Sequence, residues 1–166
     1  MWLDVITAVL QQPTFEMSIG GMSYVFRNII AKFVSSSEFY KVSKGAEQII
    51  LGDADLLQQV ENKAPIDMKK HFYGRDKQTL LEHMVPTSII AKLLIDLGPQ
   101  PSRAQVEKIL AAAGDVVIIL RTENKLLSKS KMPEGWTISD SPICRYADAG
   151  VYLSHLLVRR NKNIYR

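Results

Sequence analysis

Five consecutive apolar residues, Val116-Val117-Ile118-Ile119-Leu120, four of them β-branched, constrain this fold more than any other stretch of the chain. β-Branching favours extended backbone, and a run this short and this apolar reads as a buried strand. A lone strand would leave its backbone N–H and C=O groups without partners, so a second strand is required. Thr79-Leu80-Leu81-Glu82 is the stretch that reads as that partner. The expected fold is therefore α+β, mainly helical, with a small antiparallel pair formed by residues 79–82 and 116–120.

The helical part of this expectation comes from periodicity. Residues 2–11 place Trp2, Leu3, Val5, Ile6, Val9 and Leu10 at helical spacing, and Pro13 closes the pattern. After Gly20-Gly21, the apolar residues of 22–33 recur at three and four, the mark of an amphipathic helix. A third helix is expected over 46–60, weakened by Gly52. Residues 1–60 thus read as a helical subdomain, and 61–166 as an α+β region within one compact domain. Beyond residue 86, one helix runs from about Thr87 towards Gly98, and another over 103–113 is capped by Ser102 and ended by Gly114. A short helix is expected over 124–129. Trp136 anchors the loop 131–142, and an apolar run after Gly150 fades into a basic tail.

A chain of 166 residues, 46% hydrophobic and 23% charged, can bury a core of its own. Its apolar runs fall short of the roughly 18 residues of a membrane span, and Asp4 replaces the basic start of an export signal. One cysteine, Cys144, excludes an internal disulfide and a paired-thiol zinc site, which fits a reducing cytoplasm. Glycine-rich phosphate loops and Gly-x-Ser-x-Gly elbows are missing, so nucleotide-driven and serine-hydrolase chemistry are not expected.

The net charge of +4 favours an anionic partner, and the distribution of the charge is more informative than its sum. Basic residues gather at Lys69, Lys70, His71 and Arg75, at Arg121, Lys125, Lys129 and Lys131, and at Arg159, Arg160, Lys162 and Arg166. Phosphate contacts are expected from Lys69, Lys70, Arg75, Arg121, Lys125, Arg159 and Arg160, with Phe72 or Tyr73 stacking on a base. Each cluster also has a plainer reading as a solvated face, and the two aromatics as anchors of a loop on the core.

Glu82-His83 is the stretch with the composition of a site. It sets a carboxylate beside an imidazole at the end of an expected strand, just before the turn marked by Pro86. Phosphodiester hydrolysis needs a base to activate water and a hard cation to stabilise charge on the phosphate, and this pair offers both functions. Glu82-His83-Met84-Val85-Pro86, followed later by Val116–Leu120 and Glu123-Asn124-Lys125, resembles the HNH or ββα-metal endonucleases. In that family an acidic residue and a histidine end one strand, and a second strand runs into a helix that begins with Asn or His. The resemblance covers residues 79–130. It implies His83 as general base, Glu82 as ligand of Mg2+ or another divalent cation, and Asn124 as second ligand or orienting group. It implies nucleic acid as substrate, with DNA expected before RNA. The alternative is a non-enzymatic inhibitor of phage or mobile-element type that binds nucleic acid or another protein, with a homodimer or a host protein as partner. In that case His83 is a core imidazole, Glu82 a surface charge and Asn124 a helix cap.

Overall fold

The computed structural model describes residues 2–12, 21–113 and 115–161, with no account of the side chains of 21–23. Pro13, Gly20, Gly114, Lys162 and Arg166 therefore lie outside the described residues. In chain order the elements are α1 (Trp2–Leu10), α2 (Gly21–Val34), β1 (Phe39–Ser43), α3 (Lys44–Leu51), α4 (Ala54–Glu61), α5 (Met68–His71) and β2 (Thr79–His83). There follow α6 (Thr87–Ile95), α7 (Arg103–Ala112), β3 (Val116–Leu120), α8 (Arg121–Asn124), α9 (Cys144–Asp148) and β4 (Leu153–Arg159). The fold is α+β, with helices predominating around a small mixed sheet of order β2-β3-β1-β4.

β2 and β3 form the expected antiparallel pair, in register from Thr79 opposite Leu120 to His83 opposite Val116. β3 also pairs in parallel with β1, and β1 antiparallel with β4. The sequence shows why β3 lies inside. Val116, Val117, Ile118 and Ile119 are all fully buried, since the alternation of a strand sends them to two different cores. Val116 and Ile118 face the larger core, with Leu81, Tyr40, Val42 and Val158 beside them and the helices α1, α2, α6 and α7 above. Val117 and Ile119 face a smaller core of Met84, Leu127, Tyr146 and Val151. Each such side chain contributes about 1.5–3 kcal/mol when taken out of water, so β3 is the strand the sheet can least lose.

Three expectations are corrected. The first sixty residues are not helical throughout, because Phe39–Ser43 is an inner strand of the sheet. Residues 46–60 hold two helices in place of one: the Gly52 N–H closes α3 on Gln48, and Asp53 caps α4 by accepting from the Leu56 N–H. The short helix after β3 starts at Arg121, not at Asn124. Its start is drawn back because Glu123 accepts the Leu120 N–H at 2.9 Å, folding the chain at the end of the strand. The apolar run after Gly150, to which the sequence assigned no element, is β4, an edge strand. Elsewhere Ser102 caps α7 reciprocally with Gln105, and Gly98 supplies the left-handed turn, φ +78°, after α6. Trp136 packs its ring against the larger core, as an anchor would.

Candidate functional site

The site begins where β2 ends. Strand alternation sends Glu82 to the face of the smaller core and His83 to the face of the larger one. The buried turn Met84-Val85-Pro86 stops the strand, its Met84 N–H donating to the Asp115 carbonyl at 3.0 Å, and α6 starts directly after it.

His83 lies against α2 and Ser35, the residue that follows it. Its Nε2 is 3.4 Å from the Ala31 carbonyl oxygen and 3.3 Å from Ser35 Oγ. A carbonyl only accepts, so the Ala31 contact requires a proton on Nε2. In the neutral ring this leaves Nδ1 bare, able to take a proton. Burial holds the pKa of His83 below the ordinary value, opposed by the Ala31 carbonyl and by Glu82, while Arg145 adds to the lowering. The imidazole is therefore neutral at pH 7.

Glu82 is bound to Arg145. Nη2 of this arginine donates to Glu82 Oε1 at 2.8 Å, and Nη1 donates to the carbonyls of His83 at 2.8 Å and Met84 at 3.3 Å. Nε and Nη2 both reach the Ser128 carbonyl. The guanidinium is buried and fully engaged, so one side chain from α9 ties the end of β2 to the loop after α8.

Glu82 and His83 border one cleft of about 260 Å3, whose other lining residues are Pro86, Thr87, Asn124 and Lys129. All three residues that the sequence singled out, Glu82, His83 and Asn124, thus reach the same space although about forty residues separate the two stretches. As cation ligands they are few. Glu82 and Asn124 supply one carboxylate and one amide, and no group of three or more His, Cys, Asp or Glu among the described residues could hold an ion. A magnesium-class ion is ordinarily bound by one or two carboxylates completed by substrate phosphate and water, and one carboxylate with one amide could serve in no other mode.

The basic residues do not share one face. Arg121 braces the loop before β2, with Nε 2.7 Å from the Lys77 carbonyl and Nη2 on that of Gly74. Lys69, Lys70, Arg75 and Lys125 are exposed. Arg159 donates to Glu38 at 2.9 Å, and Arg160 to the Ser36 carbonyl at 3.2 Å. Both lie at the far edge of the sheet, three strand spacings or about 14 Å from β2. Phe72 and Tyr73 have opposite fates: Phe72 is core, and Tyr73 is 52% exposed.

The sequence did not assign Arg145, Ser35 or Thr87 to the site. Only Arg145 left a signal there, an arginine beside Tyr146 in a short segment that must turn inwards, where a guanidinium requires carbonyl and carboxylate partners. Comparison with protein families, with curated proteins and with solved structures gives no match to this chain.

Proposed function

We propose that the protein is a metal-dependent endonuclease with His83 as general base, acting on nucleic acid in a reducing cytoplasm. The observation that carries this reading is the meeting of Glu82, His83 and Asn124 in one cleft, at the end of an antiparallel strand pair followed directly by a short helix. His83 has the protonation the task needs. Its Nε2–H is directed at Ala31, and Nδ1 takes the proton of the attacking water as the new P–O bond forms and the P–O bond to the leaving oxygen breaks, that oxygen taking a proton from solvent. Glu82 and Asn124 would hold a divalent cation together with the substrate phosphate. Such an ion stabilises the charge that grows on the phosphate and on the leaving oxygen. Arg145 fixes the Glu82 carboxylate, and its positive charge weakens the pull of that carboxylate on a cation in the absence of substrate.

The deciding experiment is a cleavage assay on plasmid and single-stranded DNA with magnesium or manganese against EDTA, using wild type and His83→Ala. Cleavage that requires the metal and vanishes in the variant is expected. No cleavage by the wild type, or equal cleavage by the variant, overturns the reading. One observation favours a second reading, a binding protein without catalysis: Glu82, Arg121 and Arg159 are each engaged within the fold. In that case His83→Ala lowers the melting temperature and there is no activity to lose.

A further inference from the structure

Of the two adjacent rings after α5, Phe72 is fully buried, and its carbonyl accepts from Thr79 Oγ1 at 2.8 Å. Tyr73 leaves half its surface in water, where the fold gains little from it. The main chain beside it is nonetheless held on both sides. The Tyr73 N–H donates to the Met68 carbonyl at 2.9 Å, and Arg121 grips the carbonyls of Gly74 and Lys77. A flat ring on a braced backbone has less freedom to lose when something stacks on it.

The surroundings carry positive charge. Lys69, Lys70 and Arg75, close to Tyr73 in the chain, are exposed. Of the nearby acids, Asp76 is paired with Lys77 at 3.4 Å, and Asp67 accepts the N–H groups of Lys69 and Lys70. The brace also connects this loop to the cleft. Arg121, bonded to the loop, is the first residue of α8; Asn124, its last, lines the cleft with His83, and exposed Lys125 follows.

We propose that Tyr73 is a stacking platform for single-stranded nucleic acid, whose backbone follows α8 and Lys125 to the Glu82–His83 cleft. The strand must be single because a base inside a duplex has both faces covered and must be unstacked before it can meet the ring. This inference rests on the proposed nuclease reading for where the strand leads, while the binding itself can be measured apart from cleavage.

The test is fluorescence anisotropy in EDTA with a labelled thymidine oligomer of about 12 nucleotides, within the site sizes of single-strand binders, and with its duplex. The wild type should bind the single strand more tightly than the duplex. Tyr73→Ala should weaken single-strand binding roughly tenfold, as loss of one stacked base does, with duplex binding and melting temperature unchanged. Tyr73→Phe, which keeps the ring, should bind as wild type does. Single-strand binding by Tyr73→Ala equal to wild type, duplex binding as tight as single-strand binding, or no binding of either overturns the inference. A wild type that binds through Tyr73 and cuts nothing with magnesium or manganese overturns the nuclease reading alone. Metal-dependent cleavage with binding indifferent to Tyr73 overturns this one alone.

Discussion

Arg145 Nη2 lies 2.8 Å from Glu82 Oε1, with the arginine side chain 2% exposed and the glutamate 21%. The carboxylate that would receive a cation already has a cationic neighbour, and that neighbour also holds three main-chain carbonyls. Removing one partner of a buried pair leaves the other charge uncompensated. Arg145→Met should therefore cost about 3–5 kcal/mol of stability, while Glu82→Gln, which still offers an acceptor, should cost about 1–3 kcal/mol. Urea unfolding measures both; an Arg145→Met protein within about 1 kcal/mol of wild type would show that the guanidinium is not the clamp described.

The lowered pKa of His83 predicts two pH effects. In the proposed reaction the neutral ring is active, so cleavage is lost on acidification at a midpoint below the ordinary histidine value of about 6.5. For stability, unfolded His83 takes up its proton near pH 6.5 and folded His83 only at lower pH. Stability is thus full above about 6.5 and falls as the pH drops from there to the folded pKa, below which this group adds no further loss. His83→Gln should remove that part of the slope. Histidine ring NMR gives the folded pKa directly, and a value at or above 6.5 would refute the assignment.

Gly45 has no room for a side chain. A Cβ there would stand 2.5 Å from Glu123 Oε1 and 2.7 Å from Leu120 Cδ1. Glu123 cannot retreat without releasing the Gly45 N–H, which it accepts at 3.2 Å, and the Ser43 hydroxyl. Alanine gains up to about 1 kcal/mol of helix propensity, and overpacking costs about 1–3 kcal/mol, so Gly45→Ala should be destabilised on balance. A higher melting point in the variant would mean that the contact between α8 and α3 yields easily.

Single-strand binding should weaken with salt, losing about 0.7 in log–log slope for each phosphate contact removed. Lys125→Ala should lower the slope by that amount. Arg159→Ala should leave it unchanged, since this side chain is paired with Glu38 on the edge strand farthest from β2. Equal losses in the two variants would place the nucleic acid across the sheet, away from α8.

The sequence made some of this legible and hid the rest for physical reasons. β3 was evident because burial on both faces demands an uninterrupted apolar run, and β2 because that run needs a partner. β1 was hidden: Phe39-Tyr40-Lys41-Val42-Ser43 exposes Lys41 to an ion pair with Asp115 and ends in a serine that caps a helix, so it does not stand out from the helical patterns on either side. In β4, Leu153 and Leu156 alternate with exposed His155 and Leu157, a pattern too irregular to separate from a fraying helix. At the site, the sequence showed the imidazole, the carboxylate and the amide, but not the guanidinium that holds the carboxylate. Which buried arginine meets which carboxylate is decided by packing between elements more than sixty residues apart.

The place of β1 in the sheet has a consequence for how the chain is made. Both its neighbours come much later, Val117 opposite Lys41 and Val158 opposite Tyr40. During synthesis β1 remains with both edges open until β3 and then β4 have emerged, and pairing it closes long loops, which is slow. A nascent or refolding chain therefore presents an unpaired strand with apolar Tyr40 and Val42, the kind of edge that joins molecules together. Refolding yield should fall as protein concentration rises.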